Sequence, residues 1–323
     1  MPAFLRRLDV QASLLAAALA LLWLLFVGRT PDLAAQSYRV GLFDHFDFLL
    51  WDNGWYAGHH VPGYSVLFPA LGSLLGMRIV GAACAVAAAA LFAQIAQRSF
   101  GGAAARAGSL WFALATASDL AIGRLTYALG AALALAALLA AQRERRLLAA
   151  ALAALCAAAT PLAGLFLGLV AAALLLGGRP RLAAVIGMPA LLVAFTLAGL
   201  FPEGGREPFG TTAFVVALAL SAAWVLLLPP AQRVLRIAGV LFFGAAVLSF
   251  VLTTPVGGNI SRLGAVFMGP LLLCARPGAL RSPACALTLA ALLVWQWNAP
   301  VREVPKGWSE PLTRGATYTG LER

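Results

Sequence analysis

Residues 41–64 hold the densest grouping of side chains able to do chemistry. They read Gly-Leu-Phe-Asp-His-Phe-Asp-Phe-Leu-Leu-Trp-Asp-Asn-Gly-Trp-Tyr-Ala-Gly-His-His-Val-Pro-Gly-Tyr. Of the chain's 12 acids and three histidines, this window carries Asp44, Asp47, Asp52, His45, His59 and His60, with Trp51, Trp55, Tyr56 and Tyr64 between them. Clusters of titratable groups are where acid–base and ligand chemistry tends to be found. The spacing of three places Asp44 and Asp47 on one face of a short helix, with His45 adjacent. By ligand type, Asp44, Asp47 and His45 could hold a divalent metal, Mg or Mn, although the spacing is not diagnostic. His59 and His60 diverge on a helix, so one of them suits a hydrogen-bonding or headgroup contact better than a shared metal. A solvated interfacial loop with an aromatic belt is the plainer reading. It accounts for Trp51 and Trp55 and leaves the gathering of acids and histidines unexplained.

The elements that must position this window are apolar. The chain has 323 residues, 62% hydrophobic and 11% charged, with a mean hydropathy of +0.90. An ordinary globular domain carries about 25% charged residues, and a soluble protein of this size cannot hide so much apolar surface. Disorder, a disulfide framework and a soluble enzyme are excluded. The expected fold is all-α and polytopic. A net charge of +11 invites nucleic acid, but the arginines form no stripe with interleaved aromatics. They punctuate apolar runs, as in loops beside membrane helices. Cys84, Cys156, Cys274 and Cys285 fall inside or at the ends of those runs and read as small buried hydrophobes.

Spanning the bilayer takes ~20 apolar residues in a helix. Candidate spans are 11–27, 78–97, 103–118, 124–141, 147–160, 162–177, 182–200, 212–229, 234–252, 262–275 and 283–297, with 147–177 open to reading as one helix broken at Pro161. The first run is too long for a signal peptide and lacks a good cleavage site, so it reads as an uncleaved helix. The stretch 62–76 is apolar but carries Pro62, Gly63, Pro69, Gly72 and Gly76. Charge decides its place. If it does not cross, the inner segments hold 13 basic residues against Asp9 and Glu144, while the outer segments balance. If it does cross, that bias largely collapses. Eleven crossings follow, with the N-terminus cytoplasmic and the C-terminus extracytoplasmic. The transmembrane domain is 1–297, with a long first outer loop at 28–77 and a short outer tail at 298–323. The acids Asp32, Asp44, Asp47, Asp52, Asp119, Glu203 and Glu207 and all three histidines then lie outside.

One helix followed by a long outer loop with an acid resembles the GT-C superfamily of polytopic membrane glycosyltransferases. The run Trp51-Asp52-Asn53-Gly54-Trp55-Tyr56-Ala57-Gly58, followed by Pro62-Gly63-Tyr64 and Phe68-Pro69, is similar to the W-x(n)-G-x-P-x(n)-P-L stretch of bacterial GT-C-like membrane proteins. The likeness covers about the first 100 residues in motif and the rest in topology only. It implies an inverting transfer of sugar from a polyprenyl-phosphate donor on the extracytoplasmic face of the cell membrane. Asp44 matches the first-loop acid that serves as base or metal ligand, and Asp47 is the fallback. Members often carry two adjacent acids, where this chain has Asp44-His45. Many members also have a soluble outer C-terminal domain. Here Asn298–Arg323 follow the last span, so the resemblance implies a minimal or a truncated form, with room for a partner chain that supplies the outer domain.

Such a transfer needs positive charge on the departing phosphate and a base for the acceptor hydroxyl. Arg262 is preferred for the phosphate, because the Gly257-Gly258-Asn259 turn before it exposes backbone N–H groups. Arg124 and Arg206 follow, although arginines at helix ends commonly snorkel. Glu203 and Glu207 flank Gly204-Gly205 and could orient sugar hydroxyls, or form a solvated turn. The substrate-binding set is therefore His45, Asp52, Trp55, Tyr56, His59, His60, Tyr64, Arg124, Glu203 and Arg262. The alternatives are a multi-pass transporter of a small solute, for which Pro161 and Pro189 are the only fitting helix breaks, and a non-catalytic membrane protein of the same fold.

Overall fold

The computed structural model describes residues 7–28, 30–54, 58–202 and 205–309. Each of the eleven apolar runs forms a helix. These are α1 (Leu8–Phe26), α4 (Met77–Ser99), α5 (Gly102–Ile122), α6 (Leu125–Gln142), α7 (Arg146–Ala159), α8 (Pro161–Leu176), α9 (Pro180–Leu200), α10 (Thr211–Leu227), α11 (Arg233–Val251), α12 (Ser261–Ala275) and α13 (Pro283–Ser309). Two more lie between the first two of these, α2 (Pro31–Phe46) and α3 (Phe68–Leu75), with a two-residue hairpin of β1 (Trp51–Asp52) and β2 (His59–His60) between them. Among the described residues, seven helices are long and apolar enough to cross a membrane, and α7, α8 and α10 are shorter apolar helices. Large side chains such as Leu25, Phe26, Leu147 and Leu226 stand exposed along these helices. Lipid, not water, suits such a surface. The chain is an all-α protein of multi-pass membrane type.

The helix boundaries follow from local chemistry. The eight residues of α3 rise only about 12 Å, far short of a ~30 Å hydrocarbon core. The stretch 62–76 therefore holds no helix long enough to cross a membrane. Thr160 is extended and Pro161 lacks an N–H, so α7 and α8 part as a hairpin instead of forming one bent helix. Helix α7 stops short, and the Ala158 carbonyl, left without a helical donor, accepts the Val66 N–H at 2.9 Å. The segment before α3 is thereby tied to the hairpin apex.

Small residues set the packing, as expected where lipid removes the hydrophobic force between helices. A Cβ at Gly130 on α6 would lie 2.6 Å from Ala163 Cβ on α8, and one at Gly164 would lie 2.6 Å from Ala157 Cβ on α7. All four cysteines are free and buried. Trp224 donates its indole N–H to the Met268 carbonyl at 2.8 Å, and Gln296 bridges Trp111 and the Ala265 carbonyl. The short turns at one end of the bundle are basic, with Arg143 donating to Gln94, Arg233 to the Leu176 carbonyl and Arg276 to the Leu227 carbonyl.

Candidate functional site

At the opposite end, three helix starts meet. Chain leaving α1 is held by Arg78, which donates to the Trp23 carbonyl at 2.9 Å and the Leu24 carbonyl at 3.3 Å and lies over the Trp23 ring. A cation at a helix C-terminus is well placed. Extended Thr30 then precedes α2, with Pro31 opening the helix and Asp32 in its first turn, where an acid is favoured. Gly123 ends α5 in a left-handed conformation, φ +90, against this start. A Cβ there would lie 2.6 Å from Thr30 Oγ1 and 2.7 Å from Leu33 N. Only glycine lets the α5–α6 turn and the start of α2 come this close.

That contact brings four charges together. Arg124 Nε lies 3.4 Å from Asp32 Oδ2, and its NH1 lies 3.6 Å from Asp119 Oδ1, one turn before the end of α5. Arg262, in the first turn of α12, places NH2 3.8 Å from the same Asp32 oxygen. None of these pairs is a close hydrogen bond, so both guanidinium forks keep donors to spend. The arginine side chains are 22% and 18% exposed and Asp32 36%, whereas Asp119 is 7% exposed. Asp32 faces out of the recess and Asp119 backs it.

Around this pair the described residues hold several buried polar atoms without a hydrogen-bond partner, namely Tyr127 OH, Ser261 Oγ, Thr30 Oγ1, Gln36 Oε1 and Arg262 Nε. Buried polar groups are normally satisfied; Ser261 adjoins Arg262 in the chain, and Thr30 packs against the Gly123 turn beside Arg124. Tyr127 is within electrostatic range of Asp119, Arg124 and Arg262. Glu207, in the loop between α9 and α10, faces the same charges. Partial burial raises its carboxyl pKa above the ordinary value, and Arg262 works against that rise. Its backbone donates to the Thr254 carbonyl at 3.3 Å and packs directly on Gly257. The arrangement suits an anion with several acceptor oxygens.

The window 41–64 is organised differently from the expected site. Asp44, His45 and Asp47 are exposed at the far end of α2, roughly three turns or about 18 Å along the helix from Asp32. Asp47 adopts φ +56 and donates its N–H to the Phe43 carbonyl, ending the helix. Among the described residues, no three His, Cys, Asp or Glu side chains form a metal-holding group. The structure thus does not bring Asp44, Asp47 and His45 to the arginines.

Asp52 and His59 are instead cross-strand neighbours in the hairpin. Asp52 accepts the Tyr38 hydroxyl at 2.8 Å and lies 3.8 Å from buried His59. His60 packs edge-on to Trp51 and its Nδ1 lies 3.1 Å from the Pro202 carbonyl. Tyr64 accepts from Gln36 Nε2 at 2.7 Å and lies under the Arg39 guanidinium. These contacts fasten the loop to α2 and α9. Trp55, Tyr56 and Glu203 lie outside the described residues, and Arg206 is exposed.

Of the expected site residues, Arg124 and Arg262 are brought together, with Tyr64 close enough to Arg262 to interact with it. Asp32, Asp119, Tyr127 and Ser261 were not singled out from the sequence as parts of the site. The signals were present in Thr30-Pro31-Asp32 directly after the first span, and in Asp119 and Arg124 on either side of Gly123. Comparison of the chain with protein-family models, with curated proteins and with solved structures finds no match.

Proposed function

We propose that the protein is a membrane glycosyltransferase that takes sugar from a polyprenyl-phosphate donor at the end of the bundle where α2, α6 and α12 begin. The observation that carries this reading is the convergence of Arg124 and Arg262, from distant parts of the chain, on one accessible carboxylate at 3.4 and 3.8 Å. The acceptor hydroxyl attacks the anomeric carbon and gives its proton to Asp32. The bond from that carbon to the phosphate oxygen breaks, and the phosphate leaves with its electron pair against the two guanidiniums. Asp32 takes the role expected of Asp44, because it alone of the first-loop acids stands beside the arginines. Positive charge in the inner turns supports an extracytoplasmic site, eleven crossings, a cytoplasmic N-terminus and an extracytoplasmic C-terminus.

Sugar transfer and donor binding by the purified protein, with a panel of polyprenyl-phosphate sugars, test the reading. Asp32→Asn should cut turnover by ~10²–10⁴-fold and leave donor binding in place. Arg262→Lys should weaken donor binding although the charge survives, since lysine cannot reproduce the planar fork. Absence of donor binding by the wild type, or equal binding by Arg262→Lys, would refute the phosphate role.

A further inference from the structure

The basic end of the bundle, opposite the Arg124–Arg262 recess, carries a patch of its own. The turns 142–146 and 177–181 hold Arg143, Arg145, Arg146, Arg179 and Arg181 against one acid, Glu144. Helix packing joins the two turns into one surface. A Cβ at Gly164 would lie 2.6 Å from Ala157 Cβ on α7 and 3.4 Å from the Ala190 carbonyl on α9, so those two residues stand level. Eleven residues back along each helix, from 157 to 146 and from 190 to 179, come Arg146 and Arg179. At 1.5 Å per residue both stand about 16 Å from the Gly164 level. Helices α7 and α9 pack along each other, which puts their starts ~8–10 Å apart.

Arg145, Arg146, Arg179 and Arg181 are all exposed. Among the described residues none of the four lies within ion-pair distance of a carboxylate. Apolar surface stands at the same level. Leu147 is 89% exposed and Leu148 47%, directly after Arg146, and Leu175 and Leu176 are each 55% exposed, directly before the second turn. Cationic and apolar surface thus meet along one edge of the bundle.

We propose that this edge binds a phospholipid with two phosphates, diphosphatidylglycerol, with one phosphate on each arginine pair and acyl chains on the leucines. The two pairs match two phosphates joined by a single glycerol, and each guanidinium can grip phosphate through two donors. A zwitterionic headgroup brings its own cation to four unpaired guanidiniums. A soluble anion leaves the leucines bare. Nucleic acid needs stacking surfaces, and 142–148 and 175–181 contain no Phe, Tyr, Trp or His. The proposal is independent of the phosphate reading of Arg124 and Arg262, which lie at the other end of the bundle.

Native mass spectrometry of the detergent-purified protein, titrated with diphosphatidylglycerol, phosphatidylglycerol and phosphatidylcholine, tests it. Diphosphatidylglycerol should bind at least about tenfold more tightly than phosphatidylglycerol at equal phosphate. One arginine near an anionic lipid is worth roughly fivefold, so Arg146→Gln with Arg179→Gln should lose at least about tenfold. Arg106→Gln with Arg281→Gln removes the same charge from elements packed elsewhere and should leave binding unchanged. A photoreactive diphosphatidylglycerol should label the wild type within 142–148 or 175–181, which decides the matter even if a variant does not fold. Equal loss in both double variants, or labelling confined to other segments, overturns the site. Equal binding of phosphatidylglycerol overturns the two-phosphate match, and displacement of the lipid by equimolar pyrophosphate makes the ligand a soluble anion instead.

Discussion

Replacing Gly123 with alanine tests whether the fold places the site as described. Two costs fall at this position. The backbone sits at φ +90, and a left-handed non-glycine residue costs ~1–2 kcal/mol. The new Cβ also meets Thr30 Oγ1 at 2.6 Å, Leu33 N at 2.7 Å and Leu33 Cβ at 2.9 Å. Two of these neighbours belong to the first turn of α2, so the start of that helix must move by several tenths of an ångström. Overpacking of this kind costs ~1–3 kcal/mol, for a combined loss of about 2–5 kcal/mol. Gly178→Ala is the control, because it has φ +84 and nothing within 4 Å, so it carries the backbone cost alone. Unfolding of both variants in mixed micelles should separate them by the packing term. Transfer should fall only in Gly123→Ala, by about tenfold or more, since a 1 Å misplacement at a reacting centre can cost ~10²-fold. Equal stability of the two variants, or full activity in Gly123→Ala, would refute the link between the α5–α6 turn and the position of Asp32.

Asp119→Asn keeps the shape of the side chain that backs Arg124 and removes its charge, which leaves the cluster net positive, so affinity for an anionic donor should rise. Donor binding by both proteins checks this, and a fall would show that Asp119 serves to position Arg124. Cysteines introduced at Gly205 and Gly258 should react with an impermeant reagent added from outside the cell and one at Gly178 should not. The opposite preference would place the arginine pair on the cytoplasmic side. Trp224→Phe removes the bond to the Met268 carbonyl at 2.8 Å and should cost about 1 kcal/mol in an unfolding titration.

The helices were legible because a membrane helix writes its length and apolarity directly into the chain. All eleven runs are helical, and among the described residues seven helices are long and apolar enough to cross a membrane, while α3 within 62–76 has only eight residues. The site was legible only in part. Arg262 stood out by its glycine-rich approach, and Arg124 by its place beside a turn. Asp44 and Asp47 drew attention through density of charge along the sequence, yet α2 carries Asp44 about 18 Å along its axis from Asp32, the acid that meets the arginines. Which acid meets which arginine depends on how α2 docks on the α5–α6 turn, a tertiary fact carried by the space at Gly123. Nor does residue spacing show that Asp52 and His59 face each other, because the pairing belongs to the hairpin register.

Placement of the two arginines is itself informative. A helix N-terminus carries partial positive charge, so a cation there is disfavoured by ~0.3–1 kcal/mol and an anion favoured. Asp32 in the first turn of α2 obeys this rule. Arg262 in the first turn of α12 and Arg124 at the cap of α6 both break it. Local rules are commonly broken where function is served. The formal charges of Asp32, Asp119, Arg124 and Arg262 cancel, which by itself gives an incoming phosphate no net attraction. The starts of α2, α6 and α12 shift that balance, because the positive ends of three helix dipoles meet there. An anion entering there spends donors that the arginines hold back in their 3.4–3.8 Å pairs and relieves the repulsion built into α6 and α12. The same features that burden the empty site thus become favourable terms when it is filled.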